Sequence, residues 1–432
     1  MATIAKYSIT PIDDRDKISQ HYYPALPASS IINDNRKVAD FKLATIGGYP
    51  RGKVSSAIDK CIAGQKIEEA LYWTFQLLAS GATDSLWDKL LGIAAKNVNI
   101  YNPHLPDWLF QKTVAWHAIT SNERYKKDNV LNLRNHPTIR NMLTELVVIT
   151  AMSKPRKLEA LPKIGKEDFI VSNFNAKLEC KDMALTHHIF KDEDPKEVRV
   201  ASNEIAFHLL GGNIVRALYW VNWIFTWESI NIKKYSKFDC GVRNNSFFES
   251  KSQIPAKCNR NVVWLIWTIV ENTANKRFGA SANLHVVMRS LWELFIMNYT
   301  AGSRNRRLVY LIWAMSYLCN PIDWSIPLIT ESNLTTLFIS LLKNDKIASR
   351  IIASTVAPIA NPVNSIVQNN YAMPPSVMIK EEKPLAQAKY KSAPIPKQAA
   401  LKKGVLSEDS RGKLDAINKM DKYLETETTI FA

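Results

Sequence analysis

The sequence predicts an all-α protein: two related helical bundles in tandem, with flexible N- and C-terminal extensions. Three observations predict it. Apolar residues recur at three- to five-residue steps, as Ile58, Ile62, Ile67, Leu71, Phe75 and Leu78 do. Continuous apolar runs such as "VVWLIWTIV" read as helices buried on most sides. One unit of sequence also occurs twice.

The repeat sets the boundaries. Val54–Leu78 aligns without gaps on Ala201–Phe225, so that Ser55, Ile58, Gly64, Ile67 and Ala70-Leu71-Tyr72-Trp73 meet Ser202, Ile205, Gly211, Ile214 and Ala217-Leu218-Tyr219-Trp220. A second match follows in the same order, anchored on Ala151-Met152-Ser153 and Ala314-Met315-Ser316. A period this long indicates duplicated domains, since solenoid repeats run to roughly 20–50 residues. The expected organisation is an N-terminal extension (1–53), a first copy (54–165), an acidic connector (166–197), a second copy (198–355) and a flexible tail (356–432).

In chain order, the first helix follows residue 54 and breaks at Gly64, where a second begins. Further helices are expected over about 85–98, 106–120 and 138–153. In the second copy they are expected over about 202–210, 213–228, 260–273, 283–298, 304–318 and 332–354. β-structure is expected to be minor. The tail mixes Pro, Ala and Lys, a composition that cannot bury enough surface to fold alone, and it ends in an amphipathic stretch near 410–425 suited to a short partner-binding helix.

Composition narrows the function classes. The chain has 432 residues, 46% hydrophobic and 22% charged, as a globular protein does. Its longest apolar stretches fall well short of the ~18 residues that span a bilayer, so no membrane partner is expected. The N-terminus lacks the basic-then-apolar order of a signal peptide. Five cysteines without a CxxC pair imply buried free thiols and an intracellular, reducing compartment such as cytoplasm or nucleus. Net charge is +16, of which residues 198–355 carry +9. Such an excess suits a polyanionic partner, nucleic acid ahead of membrane, although a merely soluble basic surface is the plainer alternative.

Gly47–Lys53 spells GxxxxGK, the start of a nucleotide-hydrolase phosphate loop. The next residue must bring a hydroxyl to Mg²⁺, and Val54 has none; Ser55 is one position late. The segment therefore reads as a flexible lead into the first helix. Cys180, His187, His188, Asp192 and Glu193 gather in the connector, but only adjacent histidines occur, without the paired spacing of zinc sites. No GxSxG, HExxH or EF-hand pattern appears. The expectation is a protein that is not an enzyme, with no cofactor and no metal.

The strongest binding candidate is an insertion in the second copy, residues 231–261. It carries Lys233, Lys234, Lys237, Arg243, Lys251, Lys257 and Arg260 against two acids, interleaved with Tyr235, Phe238, Phe247 and Phe248. Cations that neutralise phosphate beside aromatics that stack on bases are the combination single-strand binders use. The alternative is a structured loop whose aromatics pack down and whose lysines face water. A second patch, Arg304, Arg306 and Arg307, opens a helix, where cations oppose the dipole; a bound anion would offset that cost, and solvation would serve equally.

Residues 53–103 resemble the C-terminal helical region of the replication-associated recombination ATPases, of the MgsA and Werner-helicase-interacting type, relatives of clamp loaders. The resemblance rests on Ala70-Leu71-Tyr72-Trp73, Gly81, Ala95-Lys96-Asn97-Val98 and Asn102-Pro103, and further on "ELVVITAMSKPRKL" with Lys154 and Pro155. It covers most of 54–165 and, more weakly, the second copy. The family's acidic pair is replaced by Lys96-Asn97, and its ATPase module would need far more than the fifty residues that precede the first copy. The resemblance implies a duplicated collar without a motor: an oligomerising, DNA-associated module in replication, repair or genome packaging. The sequence style also resembles products of large DNA viruses, which implies a viral factory or virion as further locations. A structural scaffold working through protein contacts, for instance a virion component, is the competing expectation.

Overall fold

The computed structural model describes residues 26–356 except 183, 236–237, 244–253 and 280. The first 25 residues and everything after 356, including the expected helix near 410–425, lie outside the described residues. The described chain is helical, and its one β feature is an isolated antiparallel bridge between Ala44 and Pro50. The first copy holds α1 (Arg51–Ala63), α2 (Ile67–Ala79), α3 (Thr83–Asn97), α4 (Leu105–Thr120) and α5 (Pro137–Met152). A short α6 (Val171–Asn175) lies in the connector. The second copy holds α7 (Val198–Leu210), α8 (Ile214–Tyr235), α9 (Val263–Phe278), α10 (Ala282–Ile296) and α11 (Arg304–Cys319), followed by α12 (Glu331–Leu342) and α13 (Asn344–Val356).

The opening helix pair of each copy has the same local geometry. Both pairs join a 13-residue helix to its successor through a three-residue turn. Lys66 N–H reaches Cys61 O at 2.8 Å, and Asn213 N–H reaches His208 O at the same distance. Both turns need one left-handed residue to close the helix end, Gln65 at φ 56° and Gly212 at φ 77°. Ser153, at the C-cap of α5, and Ser316, inside α11, each donate to the carbonyl four residues back, Ile149 and Ile312.

Each copy is organised about its fifth helix, which touches the other four. Between copies α4 packs on α10 and α3 on α11, sealed by Ser290 donating to Asp107 at 3.0 Å and Tyr317 to the Pro103 carbonyl at 3.0 Å. One hydrophobic core runs without interruption from Ile32 to Ile351 through both copies.

Three expectations need correction. The expected helix over 332–354 is two, because Asn344 turns inward to accept from Thr144 at 2.7 Å and donate to Asn141 at 2.7 Å. Helix α8 runs on to Tyr235, so Lys233, Lys234 and Tyr235 stand on a helix rather than in an inserted loop. Residues 26–50 pack, with Ile32, Phe41 and Ile46 buried. Within the connector, Phe169 and Phe174 bury against Trp220, Trp223 and Trp227.

The lead into α1 is a closed turn. Gly47 N–H donates to Gln76, Gly48 N–H to Thr45, Arg51 N–H to Leu43, and the N–H groups of Lys53 and Val54 to Pro50. Tyr49 packs edge-on against Trp73 at 5.1 Å. These amides already have partners, so they form no phosphate cradle.

His136, just before α5, gives the fold a pH dependence. Burial, aided by Arg124, pushes its imidazole down to about 4 from an unfolded value near 6.5. The unfolded chain therefore binds the extra proton first, and stability should fall as pH drops from about 6.5 to 4. The loss should be on the order of 1–2 kcal/mol, allowing for the ring's partial exposure. His136→Phe, which keeps a ring facing Tyr125, should flatten that slope in denaturation curves taken across the window.

Candidate nucleic-acid interface

The C-terminal end of α8 meets the base of the insertion and the end of the connector around an open cleft of about 740 Å³. Trp227, Asn231 and Tyr235 line it from α8, Phe238, Asp239, Gly241 and Arg260 from the insertion, and Glu193, Pro195, Lys196 and Glu197 from the connector. The alternation of buried and exposed positions along α8 explains the arrangement. Trp227, Glu228 and Asn231 face inward, which turns Ile232, Lys233 and Tyr235 to solvent.

Tyr235 is 55% exposed, and the Lys234 ammonium sits 4.4 Å from its ring centroid. Phe238 is half-buried against the core, Lys257 is exposed, and Arg260 reaches Asp239 at 3.4 Å while staying largely in water. Within the cleft, Lys196 and Arg260 face three carboxylates, Glu193, Glu197 and Asp239. Outside the lining, Lys233 and Lys257 are exposed and Lys234 stands beside Tyr235, while Trp227, Tyr235 and Phe238 give the cleft its aromatic surface. Lys237, Phe247, Phe248 and Lys251 lie outside the described residues.

The structure removes two arginines from the candidate set. Arg243 is buried and bonded to Asp194 and the Gly241 carbonyl, so it ties the insertion to the connector. Arg304 is largely buried against Glu228, also donates to Asn261 at 3.1 Å, and lies 4.8 Å from the Phe225 ring. Its charge opposing the α11 dipole is offset by Glu228, so no bound anion is required. Arg307 reaches back to the Leu294 and Phe295 carbonyls at 2.5 and 3.3 Å, the negative end of α10. Arg306 is exposed and lines a separate cleft of about 360 Å³ between the copies, with Asp84, Asp88, His117 and Lys126. The two patches that looked alike in sequence thus do different work: one presents charge, the other mostly braces helices.

Lys196, Glu193 and Trp227 are cleft residues that sequence reasoning missed. They come from segments read as connector and core, and only docking of the connector brings them together. Among the described residues no group of three His, Cys, Asp or Glu could hold a metal. Burial pushes the Cys180 thiol up to about 11 and the Cys240 thiol up to about 12, so both stay protonated at neutral pH. No helix among the described residues is long and apolar enough to cross a membrane.

No family model, curated protein or solved structure matches the chain.

Proposed function

We propose that the protein is a non-catalytic helical scaffold that binds single-stranded nucleic acid at the end of α8. One observation carries this reading: the exposed Tyr235 lines a cleft, with the Lys234 ammonium 4.4 Å from its ring centroid and the exposed Lys233 in the same helical turn. Bases would enter to stack on Tyr235 and Phe238, while phosphates meet the lysines of the last turn of α8. The collar-like role implied by the resemblance belongs to the same proposal, as the scaffold that carries the cleft.

Affinity for a single-stranded oligonucleotide, titrated against salt, tests it. Binding should weaken steeply with salt. Lys233→Glu/Lys234→Glu should cost roughly tenfold or more in affinity and flatten the slope of log K against log salt by about 1.4, two phosphate contacts' worth. Lys53→Glu, exposed on the first copy, should leave both unchanged. A flat salt response, or no binding at low salt, would remove the proposal and favour a scaffold acting through protein contacts.

A further inference from the structure

Helix α12 carries Leu334, Leu337, Phe338, Ile339, Leu341 and Leu342 over about half of its circumference, yet only Ser340 of its residues is buried. It leans on α5 and α13 with one face. On the opposite face Phe338 is 62%, Ile339 47% and Leu342 79% exposed. Three large apolar side chains side by side in water form a patch that calls for a cover.

We propose that the cover is the chain's own C-terminal segment, residues 410–425, docked on α12 as an amphipathic helix. Three observations select it. The three side chains offer on the order of 300–400 Å², well below the roughly 800 Å² per partner of a stable dimer and of the size one short helix covers. The segment carries Leu414, Ile417, Met420 and Leu424 at three- and four-residue steps, which places them on one helical stripe. Its charges match α12 in parallel alignment: Arg411 and Lys413 fall toward Glu331, and Asp421 and Glu425 toward Lys346 and Lys343, the latter also bridged to Glu68 at 3.4 Å.

Reach is no obstacle. The described chain ends at Val356, in the helix packed beside α12, and 53 residues separate it from position 410. Such a length can extend to about 175 Å, far beyond the ~18 Å of α12. Tethering makes the docking intramolecular and independent of protein concentration.

Hydrogen exchange on the full-length protein tests the inference. The amides of 331–342 should be protected, equally at low and high protein concentration. Leu414→Asp/Ile417→Asp, which alters no residue of the folded body, should speed their exchange about tenfold or more. Unchanged exchange in that variant overturns the proposal, as does unprotected α12 in the unmodified chain. Protection that disappears on dilution also overturns it, and assigns the face to a second copy. An independent measurement is a short thiol crosslink between Leu342→Cys and Ile417→Cys, read by mass spectrometry. The linked peptides should come from one chain; links only between chains, or none, count against the docking.

Discussion

Arg140→Ala should destabilise the protein by about 3–5 kcal/mol, the loss expected when one partner of a buried charged network is removed. The side chain is fully buried in α5. It donates to the Arg134 carbonyl at 2.6 Å, the Ser30 carbonyl at 2.9 Å and Asn135 at 3.0 Å, and stands 3.9 Å from Asp345 on α13. One guanidinium thus ties together the N-terminal segment, the approach to α5 and the last described helix. Burial holds its pKa down to about 10, still ionised at neutral pH, so the charge persists in the interior because its partners solvate it. Truncation strands three acceptors and leaves Asp345 without its nearest cation. Chemical denaturation of the variant measures the effect, and a loss below about 1 kcal/mol would show that water replaces the guanidinium at no cost. Adding Asp345→Asn to the variant should recover part of the loss.

Trp223→Ala should cost about 3–5 kcal/mol as well, by opening a cavity at the point where the connector docks. The indole stacks on Trp227 at 4.8 Å, touches Phe169 and Phe174 at 5.2 and 5.3 Å, and donates to the Asp168 carbonyl at 3.1 Å. Asp168 in turn accepts from Lys177, from the Tyr219 hydroxyl at 2.8 Å and from Gly165 N–H at 2.6 Å. These bonds outweigh the desolvation that opposes them and hold its carboxyl below the usual range. Removing Trp223 withdraws both the aromatic floor and the anchor of this cluster. Limited proteolysis should then cut first between 166 and 197. Trp223→Phe, which keeps most of the ring contacts, should lose far less, about the worth of one hydrogen bond. Equal losses in the two variants would mean that packing at this site matters little.

The helices were legible in the sequence because they depend on local signals. A 3.6-residue apolar period and a glycine at the turn mark α1 and α2 wherever they pack. The break before α13 was hidden because it depends on Asn344 finding Thr144 two hundred residues away in the chain. The extent of α8 was hidden for a related reason. Its last turn is polar, and what orders it is Trp227 and Asn231 beneath. Of the candidate site, the residue types were legible but their roles were not. Arg243 and Lys233 look alike as letters; Asp194 and Glu228, which occupy Arg243 and Arg304, lie far from them in sequence.

Helices α4 and α10 hold the same place in the order of the two helical halves, and they pack against each other. The seam is not that of a two-fold pair, because α3 packs on α11 while α9 and α5 make no comparable contact. Both halves belong to one chain, so their contact does not depend on protein concentration as the interface of separate subunits would. The cleft at the end of α8 therefore stands on the same fixed scaffold however dilute the protein.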